Sequence, residues 1–310
     1  MDVHRLEMLL ELSRLGSMRE VAEEMHTSTS NVSQQIAALA REVGTPLTEP
    51  HGRRVRLTPA GRRLADHAVT ILAAVEAARL DLDPHADPAG TVRVAGFATA
   101  VRRSLLPVLH ELSGTHPAVR LLVYEHEPFE AYDLLARDDV DLALTYDYDL
   151  APAAFDRSLQ ARPLWQAPWH LGVPANEQRP RGRATEVMRR FAGHDWIVNS
   201  RNTADEDVVR TLASMAGFEP RVAHRVDSLD LVQDLVAAGL GVALLPDSLP
   251  PHEGVAVVRL RDPEVLLRSY AVTRRGRGSW PPLRLVLDRL EEHAADGGWS
   301  SSSRPPSAPA

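Results

Sequence analysis

Apolar residues recur at helical spacing in three short runs at the start of the chain. In VHRLEMLLELSRLG, Val3, Leu6, Met8, Leu9 and Leu10 gather on one side, and Gly16 is placed as a left-handed stop. SMREVAEEM opens on Ser17 with Glu20 three residues on, a capping-box pattern, and Val21, Ala22 and Met25 form its stripe. TSNVSQQIAALAREVG repeats the spacing at Val32, Ile36, Leu39 and Val43, with Ser28 placed to cap it and Gly44 to end it. Two short helices joined across His-Thr-Ser have the spacing of a helix-turn-helix.

The outer face of the second of these helices holds Thr29, Ser30, Ser33, Gln34 and Ala37, with no acid among them. Hydroxyls and amides both donate and accept, which suits the reading of base edges and phosphates. A capped, serine-rich surface helix would look the same.

The stretch GTPLTEPHGRRVRLTPAGRRL, residues 44–64, carries five arginines in its last twelve positions. It reads as a basic linker, an enzyme's phosphate loop or a hairpin against nucleic acid. Thr58 and Pro59 start a new helix at once, which argues against a linker, and its glycines are too sparse for a phosphate loop. The hairpin, spanning 47–57, is the reading kept. The helix that follows runs to Leu82 with a narrow seam of Leu64, Ala68, Ile71 or Leu72, Val75, Ala78 and Leu82. Such a seam suits a partner helix and hence a dimer, or one face of a larger core.

DPHADPAG, 83–90, is rich in turn residues and reads as a hinge. Beyond it, strand and helix patterns alternate: TVRVAGF, RRSLLPVLHELSGTHP, AVRLLVYE, EAYDLLARDD, VDLALTY. This predicts an α/β unit with a parallel sheet. A second series runs from WHLGVP through DWIVNS, ADEDVVRTLASMAGF, RVAHRVDS, LDLVQDLVAAG, GVALLP and VAVVRLRD. RSYAVTRRG and the helix PLRLVLDRLEEHAA close the pattern.

Composition narrows the chemistry. With no cysteine, disulfides, thiolate metal sites and cysteine nucleophiles are excluded. All 35 basic side chains are arginine, a bias that GC-rich coding explains, so no chemistry is drawn from it. The net charge of −7 is uneven: residues 1–63 hold nine arginines against eight acids, so the acidity belongs to the remainder. A neutral-to-basic head on an acidic body permits nucleic-acid binding by the head alone. No charged start leads into an apolar run, and no run is long enough for a membrane span, so a cytoplasmic protein is expected. No Gly-x-Ser-x-Gly, HExxH, P-loop or GxGxxG is present, and the 13 histidines are scattered. No cofactor or metal is expected. A serine-type enzyme, which would lack its motif here, and a solute-binding protein, which would need export and leave the head without a purpose, remain as rival readings.

Three stretches together resemble the LysR-type transcriptional regulators: GSMREVAEEMHTSTSNVSQQIAALAREVG, VRLTPAGRRL, and LVAAGLGVALLP at 235–246. The resemblance covers nearly all of 1–295. It implies an overall α/β chain: a winged helix-turn-helix at 1–58, a linker and dimerisation helix at 59–83 and a hinge at 84–90. It also implies an effector domain at 91–295, built of two lobes like a periplasmic binding protein. Lobe I takes about 91–162 and 269–295, and lobe II about 163–268. Residues 296–310 lack a core pattern and are expected to be a disordered tail.

The resemblance further implies a dimer, or a tetramer built as a dimer of dimers, on double-stranded promoter DNA. Ser28, Thr29, Ser30, Ser33 and Gln34 match the DNA-facing positions, and Arg53 and Arg54 the tip of the wing. The family commonly has an aromatic at Thr48, an arginine at Pro50 and a glutamate at Ala40. The substitutions at 48 and 50 predict a looser wing, with Arg53, Arg54 and Arg56 supplying the missing charge. A small effector would sit where strand ends meet helix starts: FATAV (97–101), TYDY (145–148), NSRNT (199–203) and DSLD (227–230). Thr99, Ala100, Tyr146, Asn202, Thr203 and Asp227 are the effector candidates. Asp147, Asp149 and Asp227 would repel an anion or recognise an amine, and an organic acid, an amino acid and an aromatic compound all stay open, as does the absence of any effector. Lobe closure would move the dimers on DNA, change its bending and so alter RNA polymerase recruitment.

Overall fold

The computed structural model describes residues 1–51, 54–83 and 87–296. The start of the expected hinge, 84–86, and the tail from 297 onward lie outside the described residues, as does Arg53.

Local signals set the boundaries of the head. Helix α1 (Val3–Leu15) starts under the Asp2 carboxylate, which accepts from the His4 N–H at 2.9 Å, and ends at Gly16 with φ 68°. Helix α2 (Met18–Glu24) is capped by the Ser17 hydroxyl on the Glu20 N–H; the return bond of a capping box is not formed. Helix α3 (Thr29–Val43) begins with Ser28 accepting from the Asn31 N–H at 3.1 Å and stops at Gly44, again at φ 68°. The hairpin follows as β1 (Thr48–His51) and β2 (Arg54–Leu57), antiparallel with Thr48 opposite Leu57. Thr58 then caps α4 (Pro59–Leu82) through the Gly61 N–H, with Pro59 in the first turn, where a missing N–H costs nothing.

The first half of α4 closes the core of the head. Ala65, Ala68 and Val69 are buried in one core with Leu9, Val32 and Ile36, packed chiefly on α1. This lies partly off the expected seam: Leu64, Ile71, Leu72 and Val75 are only half-buried, Ala78 is exposed and Leu82 is 84% exposed. The larger-core reading therefore holds for the first half of the helix. Gly61 fits because α4 comes down onto the hairpin: a Cβ there would collide with the Leu47 carbonyl.

The remainder is one nine-stranded sheet flanked by helices. In lobe I, β3 (Gly90–Gly96) pairs in parallel with β4 (Val119–Glu125) and β5 (Leu142–Tyr148). Between β3 and β4 come α5 (Ala98–Ala100), a π-helical turn at Val101–Leu105 and α6 (Leu106–Thr115); α7 (Pro128–Ala136) precedes β5. The chain crosses to lobe II on β6 (Leu159–Pro174), followed by α8 (Ala184–Arg190), β7 (Asp195–Val198) and α9 (Ala204–Ala216). Next come β8 (Arg221–Arg225), α10 (Leu229–Ala237), β9 (Val242–Pro246) and β10 (Val255–Val258). It returns on β11 (Leu266–Arg274) and ends in α11 (Pro281–Asp296).

The sheet is mixed rather than wholly parallel. Outgoing β6 and returning β11 run antiparallel to each other, and β11 is antiparallel to β5. Two opposite crossings between the same two lobes require this. Both strands run unbroken across the points where the lobes were expected to divide, so WHLGVP is only the end of a 16-residue strand. The main core is shared by both lobes, with Tyr148, Phe191 and Trp196 fully enclosed.

The far end of β11 meets α4. Arg274 pairs with Asp66 at 2.7 Å, and the Thr70 hydroxyl donates to the Arg275 carbonyl at 3.3 Å. The next residue is Gly276, at φ 85°, where a Cβ would strike the Thr70 side chain. Among the described residues no helix is long and apolar enough to cross a membrane.

Candidate functional site

On α3, burial of Val32, Ile36 and Leu39 turns the opposite side outward. Ser28, Thr29, Ser30, Ser33, Gln34 and Ala37 are all exposed. The polar side chains nearer the body are bonded within the chain: Asn31 donates to Thr27 at 3.0 Å, and Gln35 accepts from Arg5 at 2.9 Å. Ser28 is engaged in its cap. The side chains of Thr29, Ser30, Ser33 and Gln34 bond to no described residue. Their donors and acceptors are available to an outside partner.

The hairpin beside this face is described except at its tip. Arg54 lies in β2 opposite His51, and Arg53 falls outside the described residues. Arg56 does not supply free charge as expected: its guanidinium donates to Glu49 across the hairpin at 2.7 Å. Arg62 donates to the Leu57 carbonyl, while Arg63 is exposed. Thr48 is half-buried beside the buried Leu47.

A second site opens between the lobes. It is a cavity of about 810 Å³, and each of the four strand-end clusters contributes to its wall: Thr99, Tyr146, Asn199 and Asp227. Three expected residues stand outside that wall. Ala100 is fully buried on the other side of its turn. Thr203 faces out and bonds Asp207 at 2.8 Å. Asn202 lies one layer behind, its amide donating to Tyr146 at 2.9 Å and to Glu127.

Asp147 and Asp149 do not face the cavity either. Side chains alternate along a strand, so Tyr146 and Asp147 point to opposite faces. Asp147 is buried and gripped by Arg268 through two bonds of 2.8 Å, and Asp149 accepts from the Leu266 N–H.

Glu127, Trp165, Trp169 and Asp205 were not anticipated. Glu127 caps α7 ahead of Pro128, and Asp205 stands in the first turn of α9, both positions where an acid reads as a helix start. Trp165, Ala167 and Trp169 line the cavity together, and their period-two spacing on β6 was the available signal. Pro163 and Pro168 mask it, because they read as breakers. Here one lies at a bulge and the other at the end of the β11 pairing.

The cavity wall ties the lobes together. Tyr146 of β5 receives the Asn199 amide at 3.1 Å and donates to Glu127 at 3.1 Å. Tyr148 donates to Asp205 at 2.8 Å. Burial pushes the Glu127 carboxyl up, opposed by the Tyr146 bond. Burial also pushes Asp205 up, to about 7, with the charges of Glu127 and Asp227 adding to it. Asp227 goes the other way: burial opposes its charge, but bonds from Ser200 and Arg201 outweigh that and hold it low. Arg103 lies over the Trp165 ring at 4.3 Å, and the Trp165 indole donates to Ser104.

Comparison with known proteins gives two family matches. Residues 3–62 match the bacterial regulatory helix-turn-helix protein, lysR family, and residues 85–295 match the LysR substrate binding domain. The transcriptional dual regulator GltC of Bacillus subtilis is 29% identical over 77% of this chain and 81% of its own. The DNA-binding transcriptional dual regulator OxyR of Escherichia coli is 26% identical over 94% of each chain. Among solved structures, a full-length OxyR variant from Pseudomonas aeruginosa superposes with a TM-score of 0.69 at 20% identity, covering 95% of this chain and 97% of that one. Full-length BenM does so with a TM-score of 0.57 at 20% identity, covering 98% and 100%.

Proposed function

This chain belongs to the LysR family of DNA-binding transcriptional regulators with an effector-binding domain, and from that premise we propose how its parts divide the work. Helix α3 enters the major groove of promoter DNA with Ser28, Thr29, Ser30, Ser33 and Gln34 toward the bases. The wing places Arg53 and Arg54 against the phosphates. A small effector occupies the cavity between the lobes, touching Thr99, Tyr146 and Asp227.

The observation that carries the DNA reading is the outer face of α3, whose polar side chains have no bonding partner among the described residues. A solvated helix surface usually carries acids and bases in pairs, as Arg19 and Glu23 do on α2. Two copies joined through 59–82 set two such helices on a two-fold site, as a dimer or a dimer of dimers. With promoter DNA and RNA polymerase as partners, the protein works in the cytoplasm. Its relatives GltC and the CysB of Haemophilus influenzae are regulators, not enzymes.

A mobility-shift assay with the protein's own upstream region and neighbouring promoters tests the reading. A retarded complex competed poorly by unrelated DNA is expected. Failure to bind any of these promoters would overturn it.

A further inference from the structure

The inference rests on the cavity as the effector site and concerns what that cavity accepts. A buried carboxylate is costly unless a cation faces it. Four carboxylates are buried among the described residues: Glu127, Asp138, Asp141 and Asp147. Three of them face arginine. Asp138 meets Arg274 at 3.4 Å, Asp141 lies between Arg93 and Arg277 at 3.1 and 2.8 Å, and Asp147 is held by Arg268 at 2.8 Å. Glu127, 7% exposed, is the exception, and it alone of the four lines the cavity.

Glu127 takes its side-chain bonds from Tyr146 and Asn202, both neutral. The nearby cation is Arg201, which pairs instead with Glu125, Glu130 and Asp227 at 3.6, 3.4 and 3.1 Å. Asp205, in the same wall, accepts from the neutral Tyr148 and forms no ion pair with a described residue. Asp138, Asp141 and Asp147 each have an arginine and Glu127 has none; the cavity's own arginines, Arg102 and Arg103, belong to the part of the wall formed by Thr99 and Trp165.

Two of the helix starts around the cavity, those of α9 and α10, do not favour an anion, whereas the start of α5 carries no side-chain cap and is followed by Arg102 and Arg103. The Ala204 and Asp205 N–H groups of α9 already donate to Asn202 and Asn199, and its first turn carries Asp205, Glu206 and Asp207. The start of α10 is capped by Ser228. Much of the remaining wall is apolar: Phe97, Trp165 and Trp169 offer aromatic faces beside aliphatic residues such as Val198 and Leu267.

We propose that the cavity accepts a small organic cation, a protonated amine or guanidinium with an apolar body. Its charge lies beside Glu127 and Asp205, and its body against Trp165 and Trp169. A free amine and an amino acid share the ammonium group; they differ in a carboxylate that would lie toward Thr99 and Arg102, both in the wall.

The full-length protein is melted and titrated with phenethylamine, phenylalanine, 3-phenylpropionate and agmatine, each at up to about 10 mM. Phenethylamine or agmatine is expected to raise the Tm, and Glu127→Gln or Asp205→Asn to weaken that binding about tenfold or more. Both replacements keep side-chain shape, and each variant's own melt reports its folding. Stronger binding of phenylalanine than phenethylamine supports the proposal and adds the carboxylate. Stabilisation by 3-phenylpropionate without the amines overturns it; if Trp169→Ala then abolishes that effect, the cavity still stands as the effector site. Amine binding unaffected by both acid replacements overturns the proposal and the cavity reading together. No shift from any of the four compounds overturns the proposal.

Discussion

Tyr148 of β5 and Asp205 of α9 are joined by a hydrogen bond of 2.8 Å that runs from one lobe to the other. The phenol donates and the carboxylate accepts, with burial raising the pKa of both. A proton on Asp205 therefore bears on how the lobes are held.

The folded pKa of Asp205, about 7, is above the ordinary 3.8 of the unfolded chain, so the folded state binds this proton more tightly. The group adds stability as pH falls below about 7 and withdraws it as pH rises through 7. Glu127, also raised, acts in the same direction. Asp227, held low, changes only below its unfolded value near 3.8 and leaves this window alone. Urea unfolding between pH 8 and pH 6 should show wild type gaining on the order of 1–2 kcal/mol relative to Asp205→Asn. Parallel pH profiles for the two proteins would sink this account.

Tyr146→Phe removes the hydroxyl that accepts from Asn199 and Asn202 and donates to Glu127. Buried polar groups are left short of partners, and a loss of about 1–3 kcal/mol is expected in urea unfolding. A change within the error of the measurement would show that water replaces the hydroxyl at no cost.

Gly61→Ala puts a methyl group against the Leu47 carbonyl, where α4 meets the hairpin. The backbone there cannot yield as a flexible side chain would, so about 1–3 kcal/mol of destabilisation is expected. Promoter affinity should fall with it, because the same contact sets the wing beside α3. A variant with wild-type Tm and affinity would rule out the close approach.

The two parts of the head should fail differently on DNA. Ser33→Ala and Gln34→Ala should reduce discrimination between promoter and unrelated DNA while leaving the salt dependence unchanged. Arg53→Ala should weaken binding to all sequences and flatten the log–log salt slope by roughly one unit. Titrations at several salt concentrations separate the two patterns, and an unchanged slope in Arg53→Ala would remove the phosphate contact.

Much of the head is legible in its sequence because its signals are local. Ser28, Thr58, Gly16 and Gly44 each act within a turn of where they stand, and all four do what their position predicts. The buried side of α4 was less legible: Ala65 and Val69 face α1 and the hairpin, a matter of tertiary packing that a helical repeat does not specify. In the cleft, the clusters at 97–101, 145–148, 199–203 and 227–230 were located, but not which member of each faces inward. Strand alternation would have turned Asp147 away and kept Tyr146. No local rule places Glu127 beside Asn202, 75 positions away, or leaves it without the arginine that Asp138, Asp141 and Asp147 have found.

The contact between Gly276 and Thr70 bears on how this regulator is recombined with others. A chimaera joined at residue 58 keeps α4 with its own effector domain, so the bare glycine still faces the threonine it fits. One joined after residue 83 brings a foreign helix to the same place. A bulkier side chain at position 70 that turns toward Gly276 would press on the approach to the last helix, and the new head would meet the sensing half in a different place.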